Sequence, residues 1–328
     1  MKKIVVYNEI PDPLLSGLRE RFDVTYFKHI DAGNDAAFAA AVRDAHGMLG
    51  ASVTVTRALL EPARLLETIS TISVGYDNYD VEYLTQRGIV LSHTPDVLTE
   101  TTADTIFALM LATARRVVEL AAFVRSGEWQ RGFTSAQYGV NVNAKTLGVL
   151  GMGRIGQAVA RRARLGFGMN VLYYNRSQVP AAEAAFDARR LPLDELLAQS
   201  DFVCVVLPLT SATERLIGAR EFALMKPSAI FVNGARGRIV DEAALIEALR
   251  NGTIHAAGLD VFEHEPLPPD SPLLTMKNVV ALPHIGSATH ETRFAMSRLA
   301  VDNLVAALDG KPQNVVNRAA IATGTATS

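Results

Sequence analysis

A single cysteine, Cys204, stands among 328 residues. No disulfide framework can form from it, and no Cys/His spacing of the zinc-binding kind exists, so no metal site is expected. An excess of one charge is also missing. Lys and Arg number 32 against 34 Asp and Glu, a formal −2, and there is no basic run, which argues against a nucleic-acid or anionic-membrane binder. No apolar stretch approaches the roughly 18 residues that a bilayer span requires. The segment most like a leader, Ile4-Val5-Val6-Tyr7 behind Lys2-Lys3, stops at Asn8-Glu9, short of the roughly 7–15 apolar residues of a signal-peptide core. It reads as a first buried strand, and a cytoplasmic location is the expectation. What is present is ordinary globular composition, 49% hydrophobic and 20% charged, in a chain long enough for about two domains.

Short β-rich runs alternate with amphipathic stretches, the pattern of an α/β fold with parallel sheets covered by helices. Strands are expected at Lys3–Tyr7, Val24–Phe27, Gly47–Ala51, Ile69–Ser73 and Ile89–Ser92, with helices at Pro13–Arg21 and Phe38–Arg43. Thr102-Ala103-Asp104 reads as the cap of a long apolar helix running to about Val124 and buried between domains. A polar loop, Ser126–Lys145, follows, and strand–helix alternation then resumes to about Leu282 before a last helix, Glu291–Leu308. Cys204 lies in the apolar run Phe202–Leu207 and reads as inert core.

The strand Thr146–Leu150 runs into Gly151-Met152-Gly153-Arg154-Ile155-Gly156 and then a helix from Gln157 to Leu165. This is G-x-G-x-x-G in the context that dinucleotide binding requires. Gly151 permits the tight turn, Gly153 lets main-chain N–H groups approach a pyrophosphate, and Gly156 lets helix and strand pack closely at the positive end of the helix dipole. The next strand, Asn170–Tyr174, ends at Asn175-Arg176-Ser177. An NAD enzyme usually carries Asp or Glu there for the ribose hydroxyls. A neutral Asn175, a cationic Arg176 and the Ser177 hydroxyl instead suit a 2′-phosphate, so NADPH is expected, with NADH weaker.

Three later strands end on reactive groups: Phe231–Asn233 leads to Arg236, Ala256–Asp260 leads to Glu265, and Val279–Leu282 leads to His284. Ligands of open α/β sheets sit outside the carboxyl ends of the strands. An arginine, a carboxylate and an imidazole there can bind an anion, orient a proton donor and donate the proton. Taken singly, Arg236 reads as surface charge and Glu265 as a turn former; it is their coincidence behind a dinucleotide motif that points to catalysis.

On Ser73–Asp80, 151–156, Gly234–Asp241, Gly258–Pro266 and Pro283–Thr289, the chain resembles the D-isomer-specific 2-hydroxyacid dehydrogenase family over about residues 1–315. Within it, the likeness is to the glyoxylate/hydroxypyruvate reductases and 2-ketogluconate reductases. The resemblance implies two Rossmann-like domains, one flavodoxin-like and one dinucleotide-binding, with a cleft between them. Residues 1–100 and 288–318 would form a discontinuous substrate domain, 101–287 the NAD(P) domain, and 319–328 a flexible tail. It implies that Arg236 binds substrate, that Glu265 orients the catalytic acid/base His284, and that Val74 and Gly75 receive the substrate carboxylate. Cofactor contacts would come from Thr102, Arg154, Ile155, Asn175, Arg176, Pro208, Thr213, Gly234, Asp260, His284 and Gly286, besides the motif glycines. The absent acid after the second strand departs from the NAD-linked pattern, and Asn233-Gly234-Ala235 departs from the commoner Asn-Thr-Ala or Asn-Ala-Gly.

The expected activity is reduction of a small 2-oxoacid (glyoxylate, hydroxypyruvate or 2-ketogluconate) by a homodimer with no nucleic-acid or membrane partner. The alternatives are an NAD-linked dehydrogenase of the phosphoglycerate type and a non-catalytic NAD(P) sensor.

Overall fold

Strands buried on both faces need apolar residues at every position rather than alternate ones, and Leu147–Leu150, Phe202–Val205 and Ala256–Leu259 obey that rule, whereas Thr68–Thr71 buries Thr68, Ser70 and Thr71. The computed structural model describes residues 1–132 and 134–318; the expected tail 319–328 lies outside them. The chain forms two compact units, Met1–Leu98 joined by the chain from Ala288 onward, and Thr99–Ser287.

The first unit runs β1 (Lys3–Val6), α1 (Asp12–Arg21), β2 (Asp23–Tyr26), α2 (Asp35–Arg43), β3 (Gly47–Gly50), α3 (Arg57–Leu60), β4 (Thr68–Thr71), α4 (Val81–Gln86) and β5 (Val90–Ser92). Its parallel sheet has the order β2-β1-β3-β4-β5, the flavodoxin-like order, with the switch in winding direction between β1 and β3. Tyr7, Phe38, Met48, Leu60, Ile69 and Leu84 are among its core residues. A bare edge at β5 would expose unpaired main-chain groups. Instead Val315 pairs antiparallel with Ser92, the Val316 N–H donates to the Leu91 carbonyl at 2.8 Å, and the Asn317 side chain bonds both Leu91 N–H and Ile89 carbonyl.

The second unit runs α5 (Thr99–Ala114), α6 (Val117–Arg125), β6 (Thr146–Leu150), α7 (Arg154–Arg161), β7 (Asn170–Tyr174), α8 (Pro180–Phe186), β8 (Arg189–Arg190), α9 (Leu193–Gln199), β9 (Phe202–Val205), α10 (Ala219–Leu224), β10 (Ile230–Asn233), α11 (Glu242–Arg250), β11 (Ala256–Leu259) and β12 (Val279–Ala281). The sheet order is β12-β11-β10-β9-β6-β7-β8, a doubly wound arrangement whose switch point lies between β6 and β9. The chain then returns through α12 (His290–Leu308), capped by the Thr289 hydroxyl on Thr292 N–H, which packs across β3 and β4. The fold class expected from the sequence is the one observed.

Two local expectations are corrected. The helix expected to run to Val124 is two helices: Arg116 adopts left-handed backbone, φ +53°, between α5 and α6. The break is tertiary in origin. Val140 N–H takes the Ala114 carbonyl at 2.8 Å, while the Arg116 guanidinium is held by Glu119 and the Ala136 carbonyl. The cap is also displaced. The helix begins at Thr99, so Thr102 is a buried interior residue. Asp104 binds Arg162 instead, the residue where α7 passes into a π-helical turn, Arg162–Gly166.

Cys204 is fully buried in β9, and burial pushes its thiol up to about 12. A thiolate is the reactive form. Folded protein is therefore expected to leave 5,5′-dithiobis(2-nitrobenzoate) unconsumed at pH 8, with about one equivalent released in guanidinium; prompt labelling of the native state would contradict the placement.

Candidate active site

The carboxyl ends of β6 and β9 meet at the switch point, and the glycine motif lies there. Gly151 has φ +103°, and a Cβ at this position would stand 2.9 Å from the Val206 carbonyl oxygen. A Cβ on Gly156 would run into the Gly151 carbonyl. Gly153, which caps α7, has nothing within 4 Å of the place a Cβ would take. The result is an open cradle at the N-terminus of a helix, followed by Arg154 and Ile155, and the free space beside Gly153 with the helix N–H groups fits a pyrophosphate.

At the end of β7, Asn175 Nδ2 donates to the Ser177 carbonyl at 3.0 Å and tightens the turn. Arg190 on β8 holds the same turn from below, donating to the carbonyls of Asn175 at 3.0 Å and Arg176 at 2.8 Å. The side chain of Arg176 is exposed and makes no hydrogen bond or ion pair among the described residues. Beyond β9, the Thr213 hydroxyl donates to the Pro208 carbonyl at 2.6 Å and accepts from Thr210 N–H at 2.8 Å, closing the 208–213 turn on itself.

The three reactive strand ends belong to neighbouring strands β10, β11 and β12. After β10, Asn233 forms an Asx-type turn: its Oδ1 accepts from Ala235 N–H at 3.1 Å and its Nδ2 donates to the Arg236 carbonyl at 3.0 Å. Gly234 lies against Ile106 of α5. Arg236 is thereby presented at the loop apex, and its charge acts on Glu265.

Glu265 uses both carboxylate oxygens. Oε1 accepts from the Phe262 N–H at 3.0 Å, and Oε2 lies 2.7 Å from His284 Nδ1. A carboxylate only accepts, so His284 Nδ1 carries a hydrogen and Nε2 is left for a substrate. Burial pushes the Glu265 carboxyl up. The bonds from His284 and Phe262, with the charges of His284 and Arg236, outweigh burial and hold it below its ordinary value.

His284 itself sits in left-handed backbone, φ +55°, after a tight turn in which its N–H donates to the Leu282 carbonyl at 3.1 Å. Such strain persists only where the surroundings over-determine it. The restraint is Asp260. Almost fully buried, it accepts from Ile285 N–H at 2.7 Å and Gly286 N–H at 2.8 Å, one to each oxygen. Burial pushes its carboxyl up, and the two N–H bonds pull it down. Thr102 packs beside Gly286.

Geometry thus brings Glu265, His284, Asp260, Gly286 and Thr102 together and presents Arg236 beside them, all within the second unit. Val74 and Gly75 belong to the first, in the bend after β4. The sequence reading named no role for Asn233, the Phe262 N–H or Arg190. An Asn followed by Gly is a turn signal that could have marked the first; the other two are contacts with main chain that carry no local signal.

Comparisons with known proteins agree with this geometry. The family described as D-isomer specific 2-hydroxyacid dehydrogenase, NAD binding domain, matches residues 107–286. The chain is 58% identical over 315 residues to glyoxylate/hydroxypyruvate reductase B of Salmonella paratyphi A, covering 96% of this chain and 97% of that protein. Among solved structures it is similar to an NADPH-dependent glyoxylate/hydroxypyruvate reductase from Sinorhizobium meliloti in complex with NADP and malonate. That match has a TM-score of 0.86 at 36% identity, over 98% of this chain and 97% of that one. A glyoxylate reductase from Paecilomyes thermophila matches with a TM-score of 0.87 at 33% identity, over 97% and 99%. With the family matched across more than half of the chain and a relative this similar over nearly all of it, the chain is an oxidoreductase and belongs to the D-isomer-specific 2-hydroxyacid dehydrogenases.

Proposed function

We propose that this enzyme reduces a small 2-oxoacid to the D-2-hydroxyacid with NADPH, with glyoxylate and hydroxypyruvate as the leading substrates and 2-ketogluconate as the longer candidate. The observation that carries the reading is the Glu265–His284 pair at 2.7 Å, with Arg236 presented from the adjacent strand end. The names of the similar reductases support the same substrate class.

A nicotinamide dinucleotide held by the glycine motif would supply the hydride that the 2-carbon accepts. Negative charge then gathers on the carbonyl oxygen, and the side chains of this protein answer it. His284 donates its Nε2 proton to that oxygen, while Glu265 keeps hold of Nδ1, fixing the tautomer and stabilising the imidazolium before transfer. Arg236 binds the carboxylate and polarises the carbonyl, and the N–H groups of Val74 and Gly75 receive the carboxylate. In the oxidative direction neutral His284 takes the hydroxyl proton. Gly151, Gly153 and Gly156 with Arg154 and Ile155 hold the pyrophosphate. Thr102, Pro208, Thr213, Gly234, Asp260 and Gly286 border the cofactor through the loops they shape. Arg176, whose side chain has no protein partner among the described residues, and Ser177 bind the 2′-phosphate. A homodimer is part of the proposal: Val117, Val118 and Val124 on α6 and Trp129 beyond it are all more than half exposed, an apolar set that a second copy would cover.

His284→Ala is expected to cut kcat about 10²–10⁴-fold in an NADPH-oxidation assay with glyoxylate; near-normal turnover would refute the donor assignment. Reduction needs the protonated donor and fails as pH rises. Glu265→Gln removes the charge that favours protonation, so the alkaline limb of the reductive profile should move to lower pH, and an unmoved limb counts against the pair. Arg176→Ala is expected to lower kcat/KM for NADPH roughly 10- to 100-fold, the range for a lost charged hydrogen bond, while NADH changes by less than about twofold. A wild-type preference for NADH would sink the cofactor assignment.

A further inference from the structure

The bend after β4 is held in an unusual way. Thr94 N–H donates to the Ser73 carbonyl at 2.9 Å, and His93 Nδ1 lies 3.0 Å from the Val74 carbonyl. A carbonyl oxygen only accepts, so His93 carries its hydrogen on Nδ1. Two successive carbonyls are therefore both turned toward the 93–94 segment. In a planar trans peptide the C=O and N–H point in opposite directions, so the N–H groups of Val74 and Gly75 are both turned away from that segment. Neither has a protein acceptor among the described residues. Consecutive N–H groups left without a protein acceptor in a bend are the kind of donors that bind an anion.

His93 is itself fixed on every side. Its N–H donates to the Asn314 carbonyl at 3.2 Å, and its carbonyl accepts from Asn303 Nδ2 at 2.9 Å. Asn303, fully buried on α12, accepts in turn from Asn314 Nδ2 at 2.9 Å. The ring packs edge-on against Tyr76, centroids 5.8 Å apart at 80°. Two bonds thus hold the His93 main chain, and the Tyr76 ring and the Val74 carbonyl meet the imidazole, whose only polar bond among the described residues is to that carbonyl.

We propose that His93 is a positioning residue for the substrate carboxylate: by holding the Val74 carbonyl it aims the Gly75 N–H, and with it sets affinity for the 2-oxoacid without touching the reacting atoms. The proposal rests on the reading that Val74 and Gly75 receive that carboxylate, and the test separates the two. Val74-Gly75 is the only Val–Gly pair in the sequence. Labelling valine with 13C at the carbonyl and glycine with 15N therefore gives one amide signal, that of Gly75. The NADP-loaded protein is titrated with oxamate, a carboxylate beside a carbonyl that hydride does not reduce, and the signal is followed in wild type, His93→Phe and His93→Asn. Phe keeps the ring contact with Tyr76 and loses the donor; the Asn Nδ2 takes the place of the imidazole Nδ1.

The signal is expected to shift on saturation in wild type, with Kd raised roughly three- to tenfold in His93→Phe, the range for one net hydrogen bond. Recovery to within about twofold is expected in His93→Asn. Steady-state kinetics should show the same rise in KM for glyoxylate, with kcat and the KM for NADPH changed by less than about twofold. Should His93→Phe fail to fold, His93→Leu removes the donor in its place. A wild-type shift with an unchanged Kd in the donor-less variant overturns the role of His93 and leaves the carboxylate reading standing. A wild-type signal that does not move at saturating oxamate overturns the carboxylate reading, and the proposal with it.

Discussion

A buried carboxylate with both oxygens committed to main chain is the constraint on which the second unit's chemistry depends. Asp260, at the end of β11, spans to the segment after β12 and takes the N–H groups of Ile285 and Gly286. Those two bonds offset part of the cost of burying the group, whose carboxyl burial still holds above its ordinary value. They also fix the residue immediately before them. His284 cannot relax out of its left-handed backbone while the next two peptides are tied down and Pro283 restricts the residue before it. The imidazole is thus delivered to Glu265 by backbone, and Glu265 is delivered to the imidazole by the Phe262 N–H. Neither side chain has to find the other by rotamer search, so little conformational entropy is lost in forming the pair.

The parts of this arrangement that are local patterns were legible in the sequence. The glycine motif could be read because strand, turn and helix follow one another without interruption and each glycine answers a specific demand of packing or backbone angle. The strand ends bearing Arg236, Glu265 and His284 were legible because the three strands that lead to them are largely apolar and stop abruptly at polar loops. The doubly wound sheets followed from the same alternation. What escaped was decided by contacts distant in sequence. Arg116 breaks a helix that its own neighbours would continue, because Val140, more than twenty residues on, takes the carbonyl of Ala114. Thr102 carries the chemistry of a cap, yet the hydroxyl-rich run Thr99–Thr102 offers several starts, and the earliest is the one used. Arg190 acts on Asn175 and Arg176 through their carbonyls, a partner that no side-chain pattern advertises.

Local cations matter more here than the formal charge of −2. Many arginines outside the site are matched to acids: Arg162 to Glu100 and Asp104, Arg215 to Glu263, Arg220 to Asp194 and Glu221. Arg190 is bonded to carbonyls, which leaves its charge uncancelled beneath the 175–177 turn. Arg176 stands at the surface of that same turn. Two guanidiniums around one turn, Arg176 in it and Arg190 on the neighbouring strand, with no acid among the residues 175–177, are the charge pattern on which the proposed 2′-phosphate site rests. In the proposed cofactor site the missing acid and the bracing arginine act together, since a carboxylate at 175 would offset the charge of Arg190 and Arg176.

One device recurs at three places. Asn233 grips the peptides around Ala235 so that Arg236 stands at a loop apex; Asp260 grips those of Ile285 and Gly286 so that His284 is aimed; His93 grips that of Val74 so that the following N–H is aimed. In each case a polar side chain spends its hydrogen bonds on main chain, and a neighbouring group is left to meet the ligand. The division follows from geometry. A side chain that both shaped a loop and bound substrate would have to satisfy two sets of angles with one set of lone pairs or protons. Separating the tasks lets the aiming residue be buried and rigid, as Asp260 is, while the aimed residue stays half-exposed, as His284 is. It follows that exchanging an aiming residue for a near-isostere that bonds main chain equally well should be tolerated, whereas the aimed residues admit no such exchange if, as proposed, their proton or charge enters the reaction itself.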